Sequence, residues 1–389
     1  MLVVDVIVIA VIVVALLSGL RVGLFTGLGA WAGIAAGALL SPWLAPLASR
    51  AVPEPAWRGA ALLATVIALL AVGCAIGTAI GAMLRRGADR MRVGALDRLL
   101  GGLAGAVAAT LAAALAGSVV ATAGIPVVSA AVASSGVLRT INRLTPDPVA
   151  EALARLRSAV VEDALPTIGG IIDPTTVLPS PDLDVDDPAL AAAAASVARI
   201  SGVAYACGTG STGSGFVVAE DLVVTNAHVV AGVESVVVEL PDRPAVDGRV
   251  VYFDPVDDLA VISADVAAEP LTVTTPLGIG AEAAVLGYPY GGPFQTRAGT
   301  VMSVGPVEIA DIYGGPPTAR DTYALAAEVR PGNSGGPLLT PDGEVAGVVF
   351  ARDEANPGIG YAMTTAELEP VLGAVGPADA PVSTGSCAP

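Results

Sequence analysis

Three short stretches of the chain carry residue types suited to acyl-transfer chemistry. They are Thr225-Asn-Ala-His228-Val-Val, Asp254-Pro-Val-Asp-Asp258-Leu-Ala-Val-Ile and Pro331-Gly332-Asn333-Ser334-Gly-Gly-Pro337. Together they offer a base, an acid to orient it, and a hydroxyl in a glycine-rich loop. A serine hydroxyl is a weak nucleophile at its own pKa and needs an adjacent imidazole to take its proton. The imidazole in turn needs a carboxylate that holds its tautomer and stabilises the cation it becomes. Glycines around Ser334 let successive backbone N–H groups turn toward one point, where the oxyanion of an acyl intermediate would sit. Each feature also has a plainer reading: a lone surface or core histidine, a turn acid at a strand start, a glycine loop. Jointly, and in the order His, Asp, Ser, they match one of the known chain orders of this constellation. Asp254 and Asp257 compete with Asp258 for the acid. Asp258 is preferred because it alone abuts the Leu-Ala-Val strand, whereas Asp257 should face the other way.

The elements around these residues read as β-structure. Short Val/Ile-rich segments alternate with Gly/Asp/Pro turns at 215–218, 222–226, 235–240, 249–253 and 259–263. They continue at 283–286, 297–304, 322–329, 337–339 and 345–351. That rhythm predicts an all-β barrel or sandwich. Thr364-Thr-Ala-Glu367 reads as a capping box opening one terminal helix. Upstream, Asp187-Pro188 before an Ala run reads as an N-cap and first turn of a short helix.

The first third of the chain is different. Leu2–Leu20, Leu24–Leu40, Ala60–Met83 and Leu99–Ala123 are apolar runs, and about 20 such residues cross a hydrocarbon core. The whole 389-residue chain has 54% hydrophobic and 14% charged residues, with a mean hydropathy of +0.72. All 19 basic residues are Arg. Residues 1–125 hold eight Arg against four acids, whereas 126–389 hold eleven against thirty-two, giving +4 and −21. Arg21 and the cluster Arg85, Arg86, Arg90, Arg92, Arg98 place the first and third loops in the cytoplasm by the positive-inside rule. Four crossings then put the N-terminus and everything after Ala123 on the outer side; three or five would reverse this. Gly73, Gly77 and Gly81 recur every fourth residue, a spacing that lets helices approach closely. Between the two parts, 148–165 has helical amphipathic spacing, and the Pro- and Asp-rich 171–188 reads as an extended linker.

These features exclude several functions. The acidic half lacks the electrostatics for nucleic-acid binding, and one His with three Cys is too few soft ligands for a structural metal site, so no metal or cofactor is expected. A transporter is disfavoured because the apolar runs hold almost no ionisable residue besides Asp5.

The opening Asp5-Val-Ile-Val, Ser18-Gly-Leu-Arg-Val-Gly-Leu and Ser41-Pro-Trp resemble the colicin V production membrane family over roughly the first 150 residues, implying a small multi-helix membrane module. Gly213-Ser-Gly-Phe-Val-Val, Thr225-Asn-Ala-His228, Asp258-Leu-Ala-Val-Ile and Gly332-Asn-Ser334-Gly-Gly-Pro-Leu resemble trypsin-like serine proteases, most closely the HtrA type, over about residues 200–375. That resemblance implies a chymotrypsin-like double six-stranded β-barrel with the site in the cleft between barrels. His228 is then the general base, Asp258 its orienting acid and Ser334 the nucleophile. The Gly332 and Ser334 N–H groups form the oxyanion hole, with Asn333 between them. HtrA proteins carry a peptide-binding domain after the protease, yet only about 15 residues follow the terminal helix here. Four spans plus a protease without that domain resemble the actinobacterial acid-resistance periplasmic serine protease family (MarP-type). The family implies a role in acid or oxidative stress, and autocleavage near the linker.

The expected organisation is a four-helix membrane domain over 1–125, a linker over 126–198, a protease domain over 199–375 and a tail over 376–389. Outside the cytoplasm, Cys207 and Cys387 can pair, closing a loop of roughly 180 residues whose entropic stabilisation is at most about 5 kcal/mol; two free thiols are the alternative. Cys74 reads as a small packing residue. An ordinary imidazole titrates near ~6.5, so activity should have an acid limb set by His228. The expected activity is a membrane-anchored extracytoplasmic serine endopeptidase acting on proteins or peptides. The alternative is a membrane scaffold whose protease fold binds peptides without cutting them. Val348–Arg352, Glu328 and Gly358–Gly360 should shape the primary specificity pocket.

Overall fold

The computed structural model describes residues 2–50, 58–90, 94–122, 132, 135–158, 165–169, 172, 179–204, 209–233, 235–241, 243–376 and 379–388. They form two units, Leu2–Ala114 and Leu115–Pro389. The first consists of helices α1 (Leu2–Val22), α2 (Leu24–Arg50), α3 (Arg58–Arg90) and the greater part of α4 (Gly94–Thr122). Val3–Val22, Ile67–Arg86 and Gly94–Gly117 are long and apolar enough to cross a membrane, and α2 adds the shorter apolar stretch Leu24–Gly37.

Glycine sets the packing of this unit. A Cβ at Gly29, Gly33 or Gly37 would overlap the carbonyl oxygen of Gly77, Gly73 or Leu69, and one at Gly81 would overlap that of Phe25. The pairs step in antiparallel register, so α2 lies backbone to backbone along the apolar part of α3. The four-residue glycine spacing read from the sequence is this seam. At one end of the unit Gly23, with φ of +82°, separates α1 from α2. There Asp97 accepts the Phe25 N–H at 2.9 Å, and Arg85 donates to the carbonyls of Arg21 and Val22. The Arg85 side chain is 3.6 Å from Asp97. The two arginine-bearing loops therefore share one end.

The second unit begins with α5 (Gly136–Leu144) and α6 (Asp147–Ser158), followed by β1 (Thr167–Ile168) and α7 (Pro188–Ala194). Ser135 caps α5 through the Leu138 N–H, and Asp187 caps α7 through the Ala189 N–H. The amphipathic spacing at 148–165 corresponds to α6, whose expected last residues fall outside the described ones.

Six antiparallel strands close the first barrel in the order β2-β3-β4-β7-β6-β5. They are β2 (Val197–Ala204), β3 (Thr209–Ala219), β4 (Leu222–Thr225), β5 (Ser235–Glu239), β6 (Val246–Asp254) and β7 (Leu259–Ser263). The second barrel contains β8 (Glu282–Gly287), β9 (Gln295–Ile309), β10 (Thr318–Ala326), β11 (Pro337–Leu339), β12 (Val345–Asp353) and β13 (Ile359–Thr364). Its order is β12-β11-β8-β9-β10-β13, and the β12–β13 pairing closes it. The sequence expectation of a double β-barrel is met.

Both faces of several strands are buried. In β7, Ala260 and Ile262 point into the first barrel, while Leu259 and Val261 join a cluster shared with Leu286, Val348 and Phe350 of the second. This is why such strands read as unbroken apolar runs rather than alternating ones. The terminal helix, α8 being the short turn Ala227–Val230, is α9 (Thr365–Leu372). Its capping box is only half made: Thr364 accepts from Ala366, but Glu367 reaches the Asp321 N–H at 2.7 Å instead of its own helix start.

The described parts of the linker are not free of the core. β1 adds to β12 in parallel, Ile168, Ile172 and Leu183 pack on the inter-barrel cluster, and the Asp182 N–H binds Glu282. β11 pairs with β12 only as far as Val348, so the last residues of β12 keep a free edge there, and β1 takes it through the Arg352 and Glu354 N–H groups.

Candidate active site

His228 sits in α8, directly after β4. Asp258 ends the turn before β7 and carries a φ of +53°, a region non-glycine residues occupy only when the surroundings fix it. Here two bonds fix it. The His228 backbone N–H donates to Asp258 Oδ1 at 2.9 Å, and Asn226 donates to the Asp258 carbonyl at 2.9 Å. The second carboxylate oxygen lies 2.7 Å from His228 Nδ1, so a proton on Nδ1 points at the carboxylate and Nε2 is left as the acceptor. Both side chains are more than nine-tenths buried.

The competing acids have other partners. Asp254 accepts the Val256 and Asp257 N–H groups and closes the turn, and Tyr252 donates its hydroxyl to it. Burial, with Asp254 and Glu367 nearby, pushes the Asp257 carboxyl above its ordinary range.

Ser334 comes from the second barrel, three residues before β11. Its loop is held by the first barrel through Ser214, whose N–H donates to the Ser334 carbonyl at 2.8 Å and whose hydroxyl donates to the Gly332 carbonyl at 2.7 Å. The same hydroxyl accepts the Tyr288 N–H at 2.9 Å. Gly332, with φ of +92°, tolerates no side chain because a Cβ would overlap the Tyr288 carbonyl. Asn333 locks the turn: its N–H donates to the Arg330 carbonyl and its side-chain oxygen accepts the Arg330 N–H at 3.0 Å. Its own N–H is therefore engaged inside the loop. The N–H groups of Gly332 and Ser334 donate to nothing among the described residues.

Ser334 Oγ and His228 Nε2 are both buried and have no hydrogen-bond partner. The Ser334 loop abuts the turn that carries His228, since a Cβ at Gly335 would overlap the Thr225 hydroxyl and meet the Asn226 N–H. Ser334 Oγ and His228 Nε2 make no hydrogen bond to each other, and such bonds in unliganded sites often form only when substrate tightens them. Arg320, almost fully buried, lies close enough to Asp258 to feel its charge. It stands 5.6 Å from the Phe350 ring and donates to the Ala310 carbonyl. Burial lowers its pKa, and the neighbouring carboxylates Asp258 and Asp257 oppose that shift. Neither Ser214 nor Arg320 was singled out by sequence reasoning. Ser214 lies in the Gly-Ser-Gly stretch and could have been found there, whereas Arg320 has no local signal.

The expected pocket segments do come together: β12 and β13 pair through Ala351–Tyr361 and Arg352–Gly360, with Val329 against Gly360. Glu328, however, is exposed and forms a bidentate pair with Arg330 at 2.9 and 3.0 Å. Cys207 lies outside the described residues.

Two closed barrels with a His–Asp pair on one and a glycine-flanked serine on the other define the architecture of a trypsin-like peptidase. The family model "Trypsin-like peptidase domain" matches residues 213–348, and "Colicin V production protein" matches residues 4–146. Serine protease Rv3671c of Mycobacterium tuberculosis is 36% identical over 256 residues, which are 64% of this chain and 64% of that protein. A probable DegP-like periplasmic serine endoprotease of Halomonas elongata is 34% identical over 160 residues, covering 39% of this chain and 32% of that one. The crystal structure of the active form of the Rv3671c protease superposes with a TM-score of 0.52 at 37% identity, covering 57% of this chain and 100% of that chain. The C-terminal part of the chain belongs to the trypsin-like serine proteases, its first part matches the colicin V production model, and the chain spans 64% of the length of its first curated relatives.

Proposed function

We propose that the protein is a membrane-anchored serine endopeptidase whose protease unit works on the extracytoplasmic side. In this reading Ser334 Oγ attacks a peptide carbonyl while His228 Nε2 takes its proton. Asp258 holds the Nδ1 proton and stabilises the imidazolium. The Gly332 and Ser334 N–H groups receive the carbonyl oxygen as it becomes an oxyanion. The imidazolium then protonates the leaving amine, and a water activated by the same imidazole releases the acyl group. The observation that carries this reading is the 2.7 Å His228–Asp258 bond, with a buried, unpartnered Ser334 hydroxyl on the loop that abuts the His228 turn. A fluorophosphonate probe should label the wild type and fail on Ser334→Ala; labelling that persists in the variant overturns the assignment. A folded wild type that takes no label would favour the peptide-binding scaffold.

Orientation is part of the same proposal. The α2–α3 seam runs beside the apolar part of α3, which supports α2 as a fourth crossing. The shared arginine-bearing end supports placing both of those loops in the cytoplasm. Tail contacts support the Cys207–Cys387 bridge. The Gly232 N–H donates to the Thr384 carbonyl, the Thr384 hydroxyl to Val233 and the Val382 N–H to Val250. These bonds bring the tail beside the start of β5, where β2 also ends. Cys207→Ser should lower both the melting temperature and the cleavage rate; unchanged values dismiss the bridge. Autocleavage in the linker and a role under acid or oxidative stress belong to this reading as implied by the family resemblance. Protonating some of the many carboxylates of the acidic unit would relieve its self-repulsion in mild acid.

A further inference from the structure

Between α5 and the first barrel lies a cleft of about 560 Å³. Its described lining carries the guanidinium groups of Arg139 and Arg143 from α5, Arg199 from β2 and Arg243 from the turn after β5, and the carboxylate of Glu239. Arg143 has a partner of its own, so Arg139 and Arg243 are the cations on which the site rests. Residues 126–389 hold only eleven arginines among thirty-two acids. Four of the eleven converging on one space is therefore a local reversal of the unit's sign. Glu239 is paired with Arg199, which also donates to the Gly291 carbonyl at 3.1 Å. Arg139 and Arg143 are four residues apart and share one face of α5, while Leu138 and Ile141 are buried. Cations gathered around a solvent-filled space repel one another, and an anion that enters removes that repulsion. The planar guanidinium fork matches the paired oxygens of a phosphate.

We propose that this cleft is a binding site for a phosphate group, presented either by an anionic phospholipid headgroup or as the free anion. Its volume lies in the range of sites that take a whole small molecule rather than a bare ion. α5 starts 14 positions after α4 ends, a reach of at most about 50 Å, so the connection leaves α5 within tether distance of a membrane helix. The lining also includes Tyr288, Gly292 and Pro293. This is the loop whose Tyr288 carbonyl borders Gly332 and whose Tyr290 N–H binds the Pro331 carbonyl. An occupant of the cleft therefore rests against the support of the Ser334 loop.

The test follows thermal unfolding of the full chain in neutral-detergent micelles at fixed ionic strength. One arm titrates inorganic phosphate against chloride; another dopes the micelles with phosphatidylglycerol, with phosphatidylcholine as control. At least one of the two anions should raise the melting temperature. The Arg139→Gln/Arg243→Gln variant should weaken that response by about 10-fold or more in apparent affinity, as expected for lost charge-assisted contacts. Arg249→Gln, outside the cleft lining, should respond like the wild type. A response to inorganic phosphate identifies the free anion, and one confined to phosphatidylglycerol identifies the headgroup. Absence of both, or an equal response in the double variant, overturns the proposal. If the double variant does not fold, Arg243→Gln on its exposed turn carries the same comparison.

Discussion

The helical unit and the Ser334 loop both depend on glycine, but for different reasons. Gly29, Gly33 and Gly77 lie inside helices, and what matters there is the missing side chain, which lets α2 and α3 meet along their backbones. Gly332 and Gly335 have φ of +92° and +80°, so what matters there is first the backbone direction and then the space. In the helical unit a larger residue pushes two long elements apart and the effect is on stability. In the loop it would turn an N–H away from the proposed oxyanion position, and the effect should be on rate.

The largest effect should separate chemistry from packing altogether. Ser334→Ala removes the proposed nucleophile from a loop in which the Ser334 hydroxyl makes no hydrogen bond and its carbonyl keeps the bond from Ser214. Turnover of a peptide substrate should fall by about 10⁶-fold, with the melting temperature within a degree or so of the wild type. A drop of a few-fold would mean that Ser334 is not the attacking group. Next comes Gly332→Ala, which forces a Cβ against the Tyr288 carbonyl and disfavours the positive φ. The cleavage rate should fall by about 10²–10³-fold, as for loss of an oxyanion donor, with the KM changing less than kcat. If instead KM rises and kcat is kept, the loop positions substrate rather than the oxyanion.

The matching change in the helical unit is Gly33→Leu. It should destabilise that unit by about 3 kcal/mol, read as earlier unfolding in detergent. The rate of fluorophosphonate labelling at Ser334 should stay unchanged. A slowed labelling rate would show that the two units are energetically coupled, and the distinction between the two uses of glycine would then be too simple.

How much of this was legible follows from how local each feature is. The glycine repeat at 73, 77 and 81, the caps at Asp187 and Thr364, and strands such as Leu259–Ser263 are encoded within a few neighbouring residues, so the sequence sufficed for them. Asp258 could be preferred over Asp257 because it alone abuts the Leu-Ala-Val strand, but both acids lie in the turn before β7, and the positive φ that aims Asp258 had no local signal. β2 and β13 were not anticipated. Val197–Ala204 runs straight on from an alanine-rich helix, and Ile359–Thr364 is short and interrupted by Gly360. The linker's docking on β12 and the burial of Arg320 among distant carboxylates depend on long-range contacts that no spacing records. Ser214 was written in the sequence, but its task, bonding Gly332 of the other barrel 118 positions away, was not.

The smallest predicted effect concerns Glu328, which the sequence reading placed at the specificity pocket and the structure pairs with Arg330. The hydrogen bonds from Arg330 hold the Glu328 carboxyl below its ordinary pKa, against a lesser contribution from burial. A carboxylate with a depressed folded-state pKa contributes stability above its unfolded value, and that contribution is lost as the pH falls through the folded value. The side chain is 43% exposed, so solvent screening limits the pair to about 0.5 kcal/mol. Glu328→Gln should therefore be slightly less stable than the wild type at pH 7, and the two unfolding curves should converge as the carboxyl is protonated. Because Arg330 braces Asn333 through backbone groups rather than through its guanidinium, the cleavage rate should change less than about two-fold, a surface-pair effect. Side-chain preference at the cleaved bond should also be unchanged. A switch in that preference would place Glu328 on the pocket floor after all, and would mean that substrate binding breaks its pair with Arg330.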